Sequence, residues 1–138
     1  MKPTVLILAA ILAAGASGQS VTVQDLGSLG GRSVGLAINN RGQVTGYATP
    51  SGSSDNHAFS KSPGLAMGDL NDYSPNTSAT SYGYAINTKG AVAGSIDAQT
   101  HNLPVAFVWD GLLPSLTILG TLGGGTSEAL GINTAQEK

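Results

Sequence analysis

The chain has 138 residues, enough for one ordinary domain, with 20 glycines, 10% charged residues and no cysteine. The absence of cysteine excludes disulfides, thiolate metal sites, a cysteine nucleophile and a lipid-bearing N-terminal cysteine. Six basic residues stand against eight acidic ones with no basic cluster, which argues against a nucleic-acid partner.

Residues 1–18 read as a secretory signal peptide. Lys2 precedes an apolar run from Val5 to Ala14, and the small residues Gly15, Ala16, Ser17 and Gly18 follow, placing cleavage after Ala16 or Gly18. The run is shorter than the roughly 20 apolar residues that span a bilayer. No later stretch is apolar for long enough to be a membrane helix. The expected location is secreted, extracellular or periplasmic, with no membrane span. Without Lys2 the remaining chain carries five basic and eight acidic residues, a net charge of −3.

The remaining region, residues 19–138, repeats itself. The stretch DLGSLGGRSVGLAIN at 25–39 returns as ILGTLGGGTSEALGIN at 118–133, with a looser version, DLNDYSPNTSATSYGYAIN, at 69–87. Asn39, Asn87 and Asn133 close the three versions, 48 and 46 residues apart. GQVTG at 42–46 returns as GAVAG at 90–94, and HAF at 57–59 as VAF at 105–107. The units run over about 21–64, 65–113 and a partial 114–138.

Each unit predicts four strands. The first is 21–26, copied at 65–70 and 115–119, where Val21 and Val23 alternate with Thr22 and Gln24. The second ends in the Ile-Asn pair. The third, 43–48, places Val44, Gly46 and Ala48 on one face, as its copy places Val92, Gly94 and Ile96. The fourth is 57–60, copied at 104–110 with Val105, Phe107 and Trp109 on one side. Asn39–Gly42 and Asn87–Gly90 have the composition of tight hairpin turns. The glycines of SLGG and TLGGG predict a compact turn, and Asn71 and Asp72, which replace them in the middle unit, are the next residues to tolerate the same backbone.

Ten strands in units of 46–48 residues predict an all-β, β-propeller-like fold of four-stranded antiparallel units, about two and a half blades. The combined motif resembles the HAF repeat family of bacterial extracellular proteins, whose unit reads D-L-G-T-L-G-G, A-x-x-I-N, G-Q-V-V-G and H-A-F-L-W. The resemblance covers nearly all of residues 19–138 and implies export and a propeller-like fold, with no reaction attached. The chain departs from it at Asn71–Asn76, at Val105 in place of His, and after Asn133. A closed ring takes at least four blades, about 190 residues at this period, against about 120 here. The expectation is a fragment of a longer repeat protein, or a chain that self-associates through open strand edges near Val21–Leu26 and Leu130–Asn133.

Candidate chemistry is sparse. GRSVG at 31–35 matches a nucleophile elbow, but Ser33 recurs as Ser81 and Ser127 in the repeat frame and no helix pattern follows it. His57 is expected at the start of a strand, on the surface or hydrogen-bonded at a blade edge. His101 falls in a polar loop, and no spacing joins the two histidines into a metal pair. Asp69–Asn76 offers closely spaced oxygens without the spacing of a calcium loop. Asp25 and Asp69 recur in register while Ile118 takes the third place, which favours a structural role over a glycosidase pair. No catalytic residue, metal or cofactor is assigned.

The loops 49–56 and 97–103 differ from copy to copy, and recognition is expected there. The reading is a non-enzymatic exported binding module for an extracellular ligand, glycan or protein. The alternatives are a carbohydrate-active enzyme on a propeller scaffold and a fragment without independent function.

Overall fold

The computed structural model describes residues 20–97, 103–112 and 115–134. The signal-peptide expectation and His101 lie outside the described residues. The fold is all-β, with eight strands among the described residues in two four-stranded antiparallel sheets. The first sheet holds β1 (Gly30–Ile38), β2 (Val44–Pro50), β3 (His57–Lys61) and β4 (Met67–Asp69) in that order. The second holds β5 (Ser81–Ile86), β6 (Val92–Asp97), β7 (Pro104–Trp109) and β8 (Leu116–Gly120). A short 3-10 turn, Leu70–Tyr73, follows β4.

The two sheets have matching registers. Gly46 pairs with Phe59 as Gly94 pairs with Phe107, and Phe59 pairs with Asp69 as Phe107 pairs with Ile118. The Asn39 and Asn87 turns are equivalent. Gly42 N–H donates to Asn39 O and Gly90 N–H to Asn87 O, with positive φ at both glycines. A register shift recurs too, between Gly35 and Ala37 in β1 and between Gly83 and Ala85 in β5. These bulges push the carbonyls of Val34 and Tyr82 onto Gly46 and Gly94, where a Cβ would collide with them.

Two of the ten expected strands do not form. Residues 21–26 have no regular structure, and Val21 and Val23 are 88% and 93% exposed. The stretch ending in Ile132–Asn133 is irregular as well. The reason is pairing. Each sheet takes its fourth strand from the start of the following unit, so β4 comes from the copy of residues 21–26. Residues 21–26 have no β3-type neighbour among the described residues, and residues 127–133 have no β2-type neighbour. A second correction concerns Asn71 and Asp72. They lie in the 3-10 turn, and Leu122 is the one non-glycine with positive φ among the described residues.

The sheets pack face to face, with β5 lying across β2. Between them Ala58 of the first sheet and Leu70 of the 3-10 turn meet Ala79, Val92, Ile96 and Phe107, with Ile86, Val105, Trp109 and Leu116 at the margin. On the far face of the first sheet Val44, Ala48 and Phe59 pack with Leu26, Leu29 and Met67. The alternation read along the third and fourth strands therefore marks the large apolar face, while the small residues of the opposite face, Thr45, Ala58, Ala93, Ser95 and Ala106, are buried as well. No closed barrel or ring is present among the described residues.

Candidate functional site

The recurring polar residues are used between units. Ser81 Oγ accepts the Ala58 N–H at 2.7 Å and donates to Asn71 Oδ1, while Ser81 N–H donates to Asn56 O. Ser127 repeats this one unit on: Oγ accepts the Ala106 N–H at 2.9 Å, and its N–H donates to Pro104 O. Ser33 sits inside β1, away from any strand-to-helix turn, and its Oγ donates to Gly27 O. That placement lacks the geometry of a nucleophile elbow.

The asparagines form a ladder. Asn39 Nδ2 donates to Asn87 O at 2.7 Å, and Asn87 Nδ2 donates to Asn133 O at 3.0 Å. Each Oδ1 also holds its own hairpin, accepting N–H groups of Arg41 and Gln43 at Asn39, and of Lys89 and Ala91 at Asn87. An amide fills both roles because it donates and accepts at once.

His57 is buried, and its Nδ1 lies 2.7 Å from Asp69 Oδ2. Asp69 Oδ1 accepts the Asn71 N–H and caps the 3-10 turn. Of the two expectations for His57, the hydrogen bond holds and surface exposure does not. In the second sheet Val105 and Ile118 occupy these two places. A polar pair has been exchanged as a unit for an apolar pair, which keeps either partner from being buried alone. The double variant His57→Val/Asp69→Ile should therefore cost less than the sum of its single changes. The expected coupling is about 1 kcal/mol or more in a denaturant-unfolding cycle; additive losses would show that the pair is not coupled.

Side-chain oxygens of Asp69–Asn76 are taken by protein groups: Asp69 Oδ2 by His57, Asp69 Oδ1 by the Asn71 N–H and Asn71 Oδ1 by the Ser81 hydroxyl. Asn76 N–H donates to Ser74 Oγ, and Asn71 Nδ2 donates to Ala79 O. No group of three or more His, Asp or Glu side chains that could hold a metal ion occurs among the described residues.

Residues that differ between units collect elsewhere. Tyr47 on β2 and Tyr82 on β5 meet edge to face at 5.1 Å, and Tyr82 and Tyr84 lie parallel at 6.1 Å. All three are half-buried. Their places are taken by Ser95 for Tyr47, and by Val34 and Leu36 for Tyr82 and Tyr84. Polar contacts fix the rings: Asn56 Nδ2 donates to the Tyr82 hydroxyl, and Ser95 Oγ to the Tyr84 hydroxyl. Asn56 in turn accepts from Thr49 Oγ1. Asp97 stands at the end of β6, its carboxyl pushed above the usual range by burial and then by the Asp55 carboxylate. The variable loop 49–56 flanks this aromatic surface through Asn56, and the loop 97–103 opens at Asp97, whose N–H donates to Thr80 O two residues before Tyr82.

Sequence reading placed recognition in those loops and missed the tyrosines, which are far apart in the chain. The usable signal was a three-tyrosine difference between otherwise matching units. The residues that meet here are rings, an amide and hydroxyls. Such a surface can bind the face of a ligand through stacking and fix its rim through hydrogen bonds.

The architecture defines an all-β repeat protein built from stacked four-stranded sheets. No family model, curated protein or solved structure matches this chain.

Proposed function

We propose that this chain is an exported, non-enzymatic binding module of propeller-like type, whose tyrosine row takes an extracellular ligand, a glycan or a protein. One observation carries the reading. Polar residues shared by the units are engaged in joining them, whereas three tyrosines that differ between units, Tyr47, Tyr82 and Tyr84, gather beside the variable loop 49–56. Tyrosine gives large contact area at low entropic cost, which suits a recognition surface. Export rests on the signal-like residues 1–18, and the resemblance to HAF repeat proteins supports both export and propeller-like stacking.

The test uses substitutions the repeat itself supplies. Tyr47→Ser copies Ser95, and Tyr82→Val copies Val34, so the fold should tolerate both at a cost of about 1 kcal/mol or less. The chain secreted by a bacterial host is assayed by calorimetry and pull-down against soluble glycans, insoluble polysaccharides and purified extracellular matrix proteins. Saturable binding weakened at least about tenfold by either substitution is expected. Binding unaffected by both would remove the row from the site.

A second reading has its own observation. Burial and then the nearby Asp55 carboxylate push the Asp97 carboxyl above the usual range, the direction the acid of a carbohydrate-active enzyme needs. Turnover of any bound glycan, lost in Asp97→Asn with binding retained, would favour it over the binding module.

A further inference from the structure

We infer that copies of this chain add head to tail, the β1–β4 sheet of one copy seating on the β5–β8 sheet of the next through the interface that joins the two sheets within a chain. The inference rests on the repeat geometry and stands apart from the tyrosine-row reading.

Within the chain that interface has two halves. The first sheet and the 3-10 turn that follows it contribute Thr45, Ala58 and Leu70, all fully buried. The second contributes Gly83, Ile86, Val92 and Phe107, with Gly83 closed against Thr45 Oγ1 and the Gly46 carbonyl. Each chain carries a further copy of both halves. Leu119 is the counterpart of Leu70 and is 55% exposed, beside Ala93 and Ala106 in the places of Thr45 and Ala58. Ile38 is the counterpart of Ile86 and is 68% exposed. With Gly35, Leu36, Ala37 and Val44 it lines an open apolar groove of about 340 Å³.

The hydrogen-bonding groups follow the same pattern. Ser81 and Ser127 each accept a backbone N–H from the preceding sheet, whereas Ser33 accepts none among the described residues. The carbonyls of Asn87 and Asn133 each accept an asparagine amide from the preceding unit, whereas the Asn39 carbonyl accepts none among the described residues and keeps only the turn bond that Asn87 also has.

Both half-interfaces are covered by place-holders. Leu26 packs on Val44, Ala48 and Phe59 as its counterpart Leu70 packs on Val92, Ile96 and Phe107. Residues 127–133 lie on the second sheet through Ser127, Ala129 N–H to Gly94 O, and Asn133. Neither place-holder is a strand. An incoming copy replaces a single segment with a whole sheet face. Because the place-holders are tethered at high effective concentration, association should emerge on the order of 0.1 mM and above. The contact is heterologous, so it builds open chains.

The experiment is sedimentation velocity with light scattering on the purified secreted chain over a concentration series. The weight-average mass should rise without a plateau at two copies. Ile38→Asp and Leu119→Asp change exposed side chains, and each alone should leave the chain folded and monomeric. Mixed, they should form a dimer and nothing larger, because one copy retains the Leu119 half and the other the Ile38 half. Ser127→Ala loosens a place-holder and should lower the concentration at half-association at least threefold. A monomer up to about 1 mM, a closed wild-type dimer, or association indifferent to Ile38→Asp would overturn the inference. So would association weakened by Leu130→Lys alone, which would assign the contact to a strand edge.

Discussion

Alanine at Gly94 is expected to cost about 3 kcal/mol or more and to lower the thermal midpoint by about 10 °C or more. The added methyl would run into the Tyr82 carbonyl and approach the Phe107 ring at 2.9 Å. The Tyr82 carbonyl is backbone, fixed by the bulge between Gly83 and Ala85, so it cannot swing aside as a side chain could. Gly46→Ala should behave alike, because the Val34 carbonyl stands in the same place. Gly68→Ala is the control: its nearest neighbour, Ser60 O, is 3.5 Å from the added Cβ, an ordinary contact. Thermal unfolding followed by circular dichroism compares the three. Equal losses at Gly68 and Gly94 would remove the bulge as the cause.

Asn87→Ala should be the most damaging change among the polar repeat residues, costing about 2–4 kcal/mol. Asn87 is buried, and its side chain accepts the Lys89 and Ala91 N–H groups while donating to Asn133 O. Removing it leaves the Ala91 N–H, also buried, without its partner. Asn87→Asp separates the two roles. A carboxylate still holds the hairpin but cannot donate, and it faces the Asn133 carbonyl with like charge. Hydrogen exchange should then show the Asn87–Gly90 turn protected and the 127–133 segment released. Loss of protection in both regions alike would mean that the turn and the ladder are one cooperative element.

The unit length, the matched turns at Asn39 and Asn87, and the buried faces of Val44, Ala48, Val92, Ile96 and Phe107 were legible in the chain. They depend on local period and on glycine and asparagine chemistry, which sequence carries directly. The candidate surface was legible only through its loops. Tyr47 and Tyr82 are 35 residues apart, and their contact exists because β5 crosses β2. The pairing of His57 with Asp69 was hidden likewise, since the two recur at different rates among the units and meet only through the β3–β4 register.

That this protein is a β repeat, where its hairpins turn and which face of each strand carries the large apolar side chains are written in the chain, because those properties follow from alternation and turn residues within a few positions; burial of the opposite face, with Thr45, Ala58 and Ser95, is not. Only the tertiary structure decided that the sheets are offset from the sequence units, that residues 21–26 and 127–133 remain irregular, and that Asn39, Asn87 and Asn133 form a ladder. The physical reason is that a strand exists by its partner. Residues 21–26 and the β4 segment carry nearly the same pattern, and only the one with β3 beside it closes its backbone hydrogen bonds.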